Sequence, residues 1–152
     1  MSFGKIGTVK KINDSILNPH YSGLRLVLSI NNLGGGVNYD LYKTFDKKWR
    51  QVKQDAKGWY NTKTGAYKLG AINTTAVQSD TWVIHMLCQD KDMVTDVKSL
   101  EECLKHVSKM AKYEQASVHI DASLVNELPA IAGLAETHLV KSGINVYYYE
   151  QV

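Results

Sequence analysis

Residues Leu24 to Val37 read LRLVLSINNLGGGV, and this stretch decides the fold. Leu24 to Ile30 is a short apolar run bounded by turn-forming residues, the pattern of a strand buried on both faces. Three glycines follow, Gly34, Gly35 and Gly36. Val37, Leu41, Phe45, Val52 and Ala56 then recur at helical steps, with a shift of register near Trp49 and a stop expected at Gly58. Glycine permits positive φ and close approach to the backbone. The first turn of a helix offers unpaired N–H groups and partial positive charge. Together they make a seat for a phosphate, with Asn31 and Asn32 at the strand end placed to bond a ribose hydroxyl. No Gly-Lys-Ser/Thr follows, so this is not a P-loop, and the glycine spacing is not the dinucleotide fingerprint. The same residues also suit a tight strand-to-helix turn without a ligand, with Asn31 and Asn32 as turn formers.

Working outward, Lys5 to Ile12 alternates loosely and predicts an edge strand, and Asn13 to Gly23 a loop. Downstream, Asn61 to Gly65 reads as a turn. Tyr67 to Val77 and Thr81 to Cys88 read as strands joined in a hairpin at Gln78-Ser79-Asp80. Gln89 to Thr95 is a polar loop. Ser99 and Glu102 have capping-box spacing ahead of a stripe of Leu100, Cys103, Leu104, Val107 and Ala111. Ser117 to Ile120 is a short strand, and Asp121 to Leu128 a loop. Pro129 opens a helix with inner face Ile131, Leu134, Ala135, His138 and Leu139, ended by Gly143. Ile144 to Tyr149 is the last strand. This alternation predicts one domain over residues 1–152, a three-layer α/β/α sandwich around a mixed, mostly parallel sheet. Its ligands should lie outside the carboxyl ends of the strands, at loops Asn31 to Asn38, Gln89 to Thr95 and Asp121 to Glu127.

Bulk properties agree. A chain of 152 residues with 44% hydrophobic content has the material for one core. A charged fraction of 22% argues against disorder. A net charge of +3 is too small to imply nucleic acid, though it favours an anionic ligand. Cys88 and Cys103 sit among apolar residues without metal-ligand spacing, so they read as reduced core thiols, and no metal or cofactor is expected. Met1 to Lys11 holds no leader-like apolar run, and no stretch approaches the ~18 apolar residues of a membrane span. The expectation is a cytoplasmic protein without a membrane partner.

Several residues carry candidate chemistry. Asp121, at a strand end, suits a general base or, more simply, a loop or helix cap. His119 shares its face in an alternating strand, so a His119–Asp121 pair is one option and a satisfied core histidine the other. His85 reads as structural. Lys47, Lys48, Arg50, Lys53 and Lys57 crowd one helix near Trp49, Trp59 and Tyr60. That is a nucleic-acid face or the solvated side of an amphipathic helix; the second is expected. Tyr147, Tyr148 and Tyr149 are strand formers first, with one a candidate for stacking on an adenine.

The segment LVLSINNLGGGV resembles the strand, glycine loop and helix start of macro domains. FDKKWRQVKQDAKGWY, LGAINTTAVQSDTWVIHMLCQD, SLEECLKHVSKMAKYEQASVHI and KSGINVYYYE resemble later family segments in order, most like the small terminal ADP-ribose glycohydrolase type. The resemblance implies that Asn31 and Asn32 lie near the distal ribose, and Gly34, Gly35, Gly36 and Val37 near the ribose or diphosphate. It places Gln89 where the glycohydrolases carry a lysine nucleophile, and glutamine forms no such adduct. Two further departures stand out. Ile6-Gly7-Thr8-Val9 lacks the carboxylate expected to read adenine. His119 to Glu127 lacks the glycines of the second loop, leaving Ser123 and Asn126 as substitute donors and Asp121 as a repelling charge. The resulting expectation is binding of ADP-ribose or a related nucleotide derivative. Hydrolysis of an ADP-ribosyl or ribose-phosphate linkage would draw on Asp121 and Asn32, as in an ADP-ribosyl hydrolase or an ADP-ribose-phosphate phosphatase. The rival is a degenerate macro domain that engages a protein or nucleic acid without nucleotide turnover.

Overall fold

The computed structural model describes residues 5–62 and 65–152. Residues 63 and 64 of the predicted turn Asn61 to Gly65 lie outside them, as do the first four residues. In chain order the elements are β1 (Val9–Ile12), β2 (Arg25–Asn32), α1 (Asp40–Phe45), α2 (Gln51–Asn61), β3 (Ile72–Gln78), β4 (Thr81–Gln89), α3 (Val97–Glu114), β5 (Ser117–Asp121), α4 (Ala122–Glu127), α5 (Ile131–His138), a 3-10 turn (Val140–Ser142) and β6 (Val146–Tyr149). The strands form one sheet in the order β1-β6-β5-β2-β4-β3. Among the described residues only β3 is antiparallel to its neighbour.

The apolar runs occupy the middle of this sheet. Leu26, Val27, Leu28 and Ile30 of β2 are fully buried, as are Val83, Ile84 and Met86 of β4. Right-handed crossovers fix which face each helix covers. The chain steps from β2 through α1 and α2 to the edge strand β3 and back by a hairpin to β4, then past β2 to β5 through α3 and on to β6 through α4 and α5. The steps run in opposite senses, so α1 with α2 lies on one face and α3 with α5 on the other. Neighbours β2 and β5 send their connections in opposite directions. That leaves a crevice at their carboxyl ends, the position where such sheets take ligands.

Several local expectations shift. The first helical pattern divides into α1 and α2, and Trp49, 2% exposed, bonds its amide to the Phe45 carbonyl at the break. Gly58 does not end α2, which runs on to Asn61. The strand expected from Tyr67 starts only at Ile72, because Gly70 turns the chain at φ +90°. The cap of α3 is Asp96 and not Ser99; the Ser99 hydroxyl donates back to Asp96 inside the first turn. The loop expected over Asp121 to Leu128 contains α4. Cys88 and Cys103 are free and buried, and burial pushes the Cys103 thiol up to about 12.

Candidate functional site

The glycine turn hangs from the carboxyl end of β2 at the crevice. Its conformation follows from Asn32, which is 2% exposed. The Gly35 amide donates to the Asn32 carbonyl at 3.0 Å, closing a β-turn. The Gly36 amide donates to Asn32 Oδ1 at 3.2 Å. Asn32 Nδ2 in turn donates to Tyr39 Oη at 2.9 Å, and that hydroxyl donates to Gln89 Oε1 at 2.7 Å. Gln89, also 2% exposed, donates onward to Thr95 Oγ1 at 3.1 Å. One buried chain of bonds thus ties the ends of β2 and β4 to the segment before α1, each bond contributing about 1 kcal/mol net. Burial raises the Tyr39 hydroxyl to about 12, so it remains a donor.

Gly35 sits at φ +74° under the Tyr60 ring, where a Cβ would lie 2.4 Å from the ring's Cγ. Tyr60 leans edge-on against Tyr67, whose hydroxyl donates to the Asn32 carbonyl. The amides of Gly35 and Gly36 therefore turn to the chain's own oxygens. Those of Gly34, Val37 and Asn38 have no partner among the described residues. Helix α1 begins only at Asp40, so its first turn lies beyond the glycines.

Asn31 is fully buried below this turn, and its Oδ1 accepts from Tyr42 Oη at 2.8 Å. Tyr42 Oη stands 3.3 Å from His85 Nδ1, His85 Nε2 stands 2.9 Å from Thr75 Oγ1, and Thr75 donates to Asp55 at 2.8 Å. Burial drives the His85 pKa down to about 4, so its ring is neutral, and the row ends on the Asp55 carboxyl group.

Across the crevice, Asp121 ends β5 and caps α4, accepting from the Ser123 amide at 3.1 Å and from its hydroxyl. His119 makes no bond to it: Nδ1 pairs with Tyr149 Oη at 2.6 Å and Nε2 with Ser117 Oγ at 2.7 Å. Asn126 is exposed and lines a cavity of about 670 Å³ at the ends of β1 and β6, together with Ile12, Asn13, Val125, Glu136 and Glu150. Helix α4 packs on both α1 and β2, so it stands between this cavity and the glycine turn. Because β1 spans Val9–Ile12, the carboxylate following it is Asp14, past the Ile6 to Val9 stretch that lacks one. Asp14 bonds the Ser15 amide at 2.7 Å and His20 Nε2 at 2.9 Å.

The structure brings Asn32, the glycines and Gln89 together at the ends of β2 and β4, sets Asp121 and Ser123 at the end of β5, and leaves Asn126 in the cavity beyond, at the ends of β1 and β6. Sequence reasoning missed Tyr39 and Tyr67 and set Tyr60 only beside a basic helix; nothing in their spacing shows that they meet Asn32, Gly35 and Gln89. Among the described residues no cluster of His, Cys, Asp or Glu is arranged to hold a metal, and no helix is long and apolar enough to cross a membrane.

This architecture, with a glycine turn after the central strand and a helix facing it across a parallel sheet, is the macrodomain fold. A macrodomain protein from Streptomyces coelicolor superposes with a TM-score of 0.84 at 19% identity, over 95% of this chain and 99% of that one. The macrodomain of Thermus aquaticus DarG gives 0.69 at 12% identity, over 95% and 99%. Thermosipho africanus DarTG, solved in complex with ADP-ribose, gives 0.65 at 15% identity, over 83% of this chain and 38% of that one. No family model and no curated protein matches the sequence.

Proposed function

We propose that the chain binds ADP-ribose or a closely related nucleotide derivative across the β2–β5 crevice and does not turn it over. The observation that carries this reading is the set of unpartnered amides of Gly34, Val37 and Asn38, at the crevice of a macrodomain fold. Unpaired N–H groups in a glycine turn are donors for a phosphate or a ribose hydroxyl. The cavity beside α4 has a volume within the range of small-molecule sites, and Glu136, Glu150 and Asn13 supply acceptors for a base amino group. The solved relative carrying ADP-ribose supports the ligand class.

Against turnover, Asp121 is occupied as a cap, Asn32 and Gln89 are locked in the tyrosine network, and His85 and His119 are buried and neutral. Asp121 and the glycine-free α4 also face the diphosphate path, which makes the expected affinity modest.

Calorimetry with ADP-ribose should give saturable binding with Kd on the order of 10–100 μM, weakened about fivefold or more in Asn126→Asp. Incubation with ADP-ribosylated protein or with an ADP-ribose phosphate ester should leave both intact. No heat with ADP-ribose would sink the nucleotide reading and leave an interaction module on the same fold. Product release would overturn the absence of turnover.

A further inference from the structure

We propose a second binding site, for an uncharged sugar unit, at the amino-terminal end of the sheet, opposite the glycine turn and independent of the function proposed above. A cavity of about 540 Å³ opens there between the starts of β5 and β6, the end of α3 and the loop before β2. Ser22, Gln115, Ser117, Ser142 and Asn145 line it.

One of these groups is oriented from the protein interior. The His20 amide donates to Tyr149 Oη at 2.8 Å, leaving the tyrosine proton for His119 Nδ1 at 2.6 Å. His119 is fully buried and burial holds its pKa down at about 3, so the ring is neutral and carries its one proton on Nε2. That proton goes to Ser117 Oγ at 2.7 Å. Ser117 accepts from behind, so its own proton is directed away from His119, on the side of the cavity. The side chains of Ser22, Gln115 and Ser142 have no hydrogen-bond partner among the described residues, nor does Asn145 Nδ2.

Backbone strain gathers at the same place. Among the described residues three non-glycines hold positive φ: Tyr21, Met93 and Gln115. Tyr21 (φ 75°) and Gln115 (φ 54°) both border this cavity. Gly143, at its rim, is glycine where a Cβ would meet the Lys5 carbonyl at 2.8 Å. Gln115 takes this conformation as the left-handed cap that ends α3, and Tyr21 takes it in the loop before β2, so both side chains are held at the cavity mouth. Arg25 holds the strained loop by donating to the Tyr21 carbonyl at 2.7 Å, and the Tyr21 ring stacks on Tyr147 at 4.3 Å.

Charge selects the ligand class. No carboxylate is present among the described lining residues, and Lys112 is the one charged group. The carboxyl end of α3 places its partial negative charge beside it, offsetting part of the lysine charge. A rim made mostly of hydroxyls and amides, next to a tyrosine pair, matches a neutral polyol.

The test is an amide-resolved NMR titration of the full chain with D-ribose and with D-glucose. At least one should shift the Gln115, Ser117 and Asn145 amides saturably in the millimolar range. Ser142→Ala and Gln115→Gly should each weaken that binding about threefold or more. Gln115→Gly should at the same time raise Tm by about 2–4 °C as the strain is released, which separates lost contact from lost fold. Absence of shifts with both sugars overturns the site. Unchanged affinity in Gln115→Gly overturns its role, and tighter binding of ribose phosphate than of ribose overturns the neutral ligand class.

Discussion

Replacing Gly35 with alanine tests the glycine turn at its most crowded point. Two costs add. The residue is held at φ +74°, and an L side chain in the left-handed region costs about 1–2 kcal/mol. The new Cβ would also fall 2.4–2.7 Å from Cγ and both Cδ atoms of Tyr60, the near end of the ring and not a flexible tip. Tyr60 is 42% exposed, so the ring relieves the clash by swinging outward and gives up its edge contact with Tyr67, centroids 5.3 Å apart. Such a contact contributes about 0.5–1.5 kcal/mol. The expected loss in Gly35→Ala is thus about 2–3 kcal/mol, read from urea unfolding at constant m. In a Tyr60→Ala background the clash has gone, and only the backbone part, about 1–2 kcal/mol, remains. A loss under about 0.5 kcal/mol in the wild-type background would refute the packing of Gly35 under Tyr60. The same loss in both backgrounds would refute the ring's part in it.

Two further outcomes follow from the titratable groups. His85 and His119 have folded pKa values of about 4 and about 3, below the usual histidine value, because burial disfavours their charged form. The unfolded chain therefore takes up protons first, and stability is full above about pH 6.5 and falls as pH drops toward 4; at about pH 5 the loss should be about 2 kcal/mol per histidine, seen as a falling urea midpoint that is shallower in His85→Gln. In Asp121→Asn the cap of α4 is kept, since asparagine caps as well as aspartate, so Tm should barely move, while ADP-ribose should bind more tightly in calorimetry once the charge is gone; weaker binding would show that the carboxylate does not oppose the ligand.

The legible part of this molecule was its periodicity. β2 and β4 are continuous apolar runs because both faces are covered, and the stripe from Leu100 to Ala111 marks α3 for the same reason. Helix α4 was hidden because six residues hold too few apolar positions to show a period, and what caps it is the Asp121 side chain. The glycine turn was legible as a turn and not as a network of bonds. Asn32 and the glycines reveal a turn at a strand end, but that Asn32 closes the turn on itself depends on Tyr39 and Gln89, fifty residues apart in sequence. Asp121 lends itself to catalysis or to capping by residue type alone; only the position of Ser123 decides which bond it makes.

Among the described residues β1 pairs with β6 alone, and β6 also lies against β5. During synthesis β1 must wait, hydrogen-bonding groups open to water, until β6 has left the ribosome. Loss of the final strand would strip two rows of backbone pairing at once and leave β5 as a bare sheet margin, the kind of surface through which chains stick to one another.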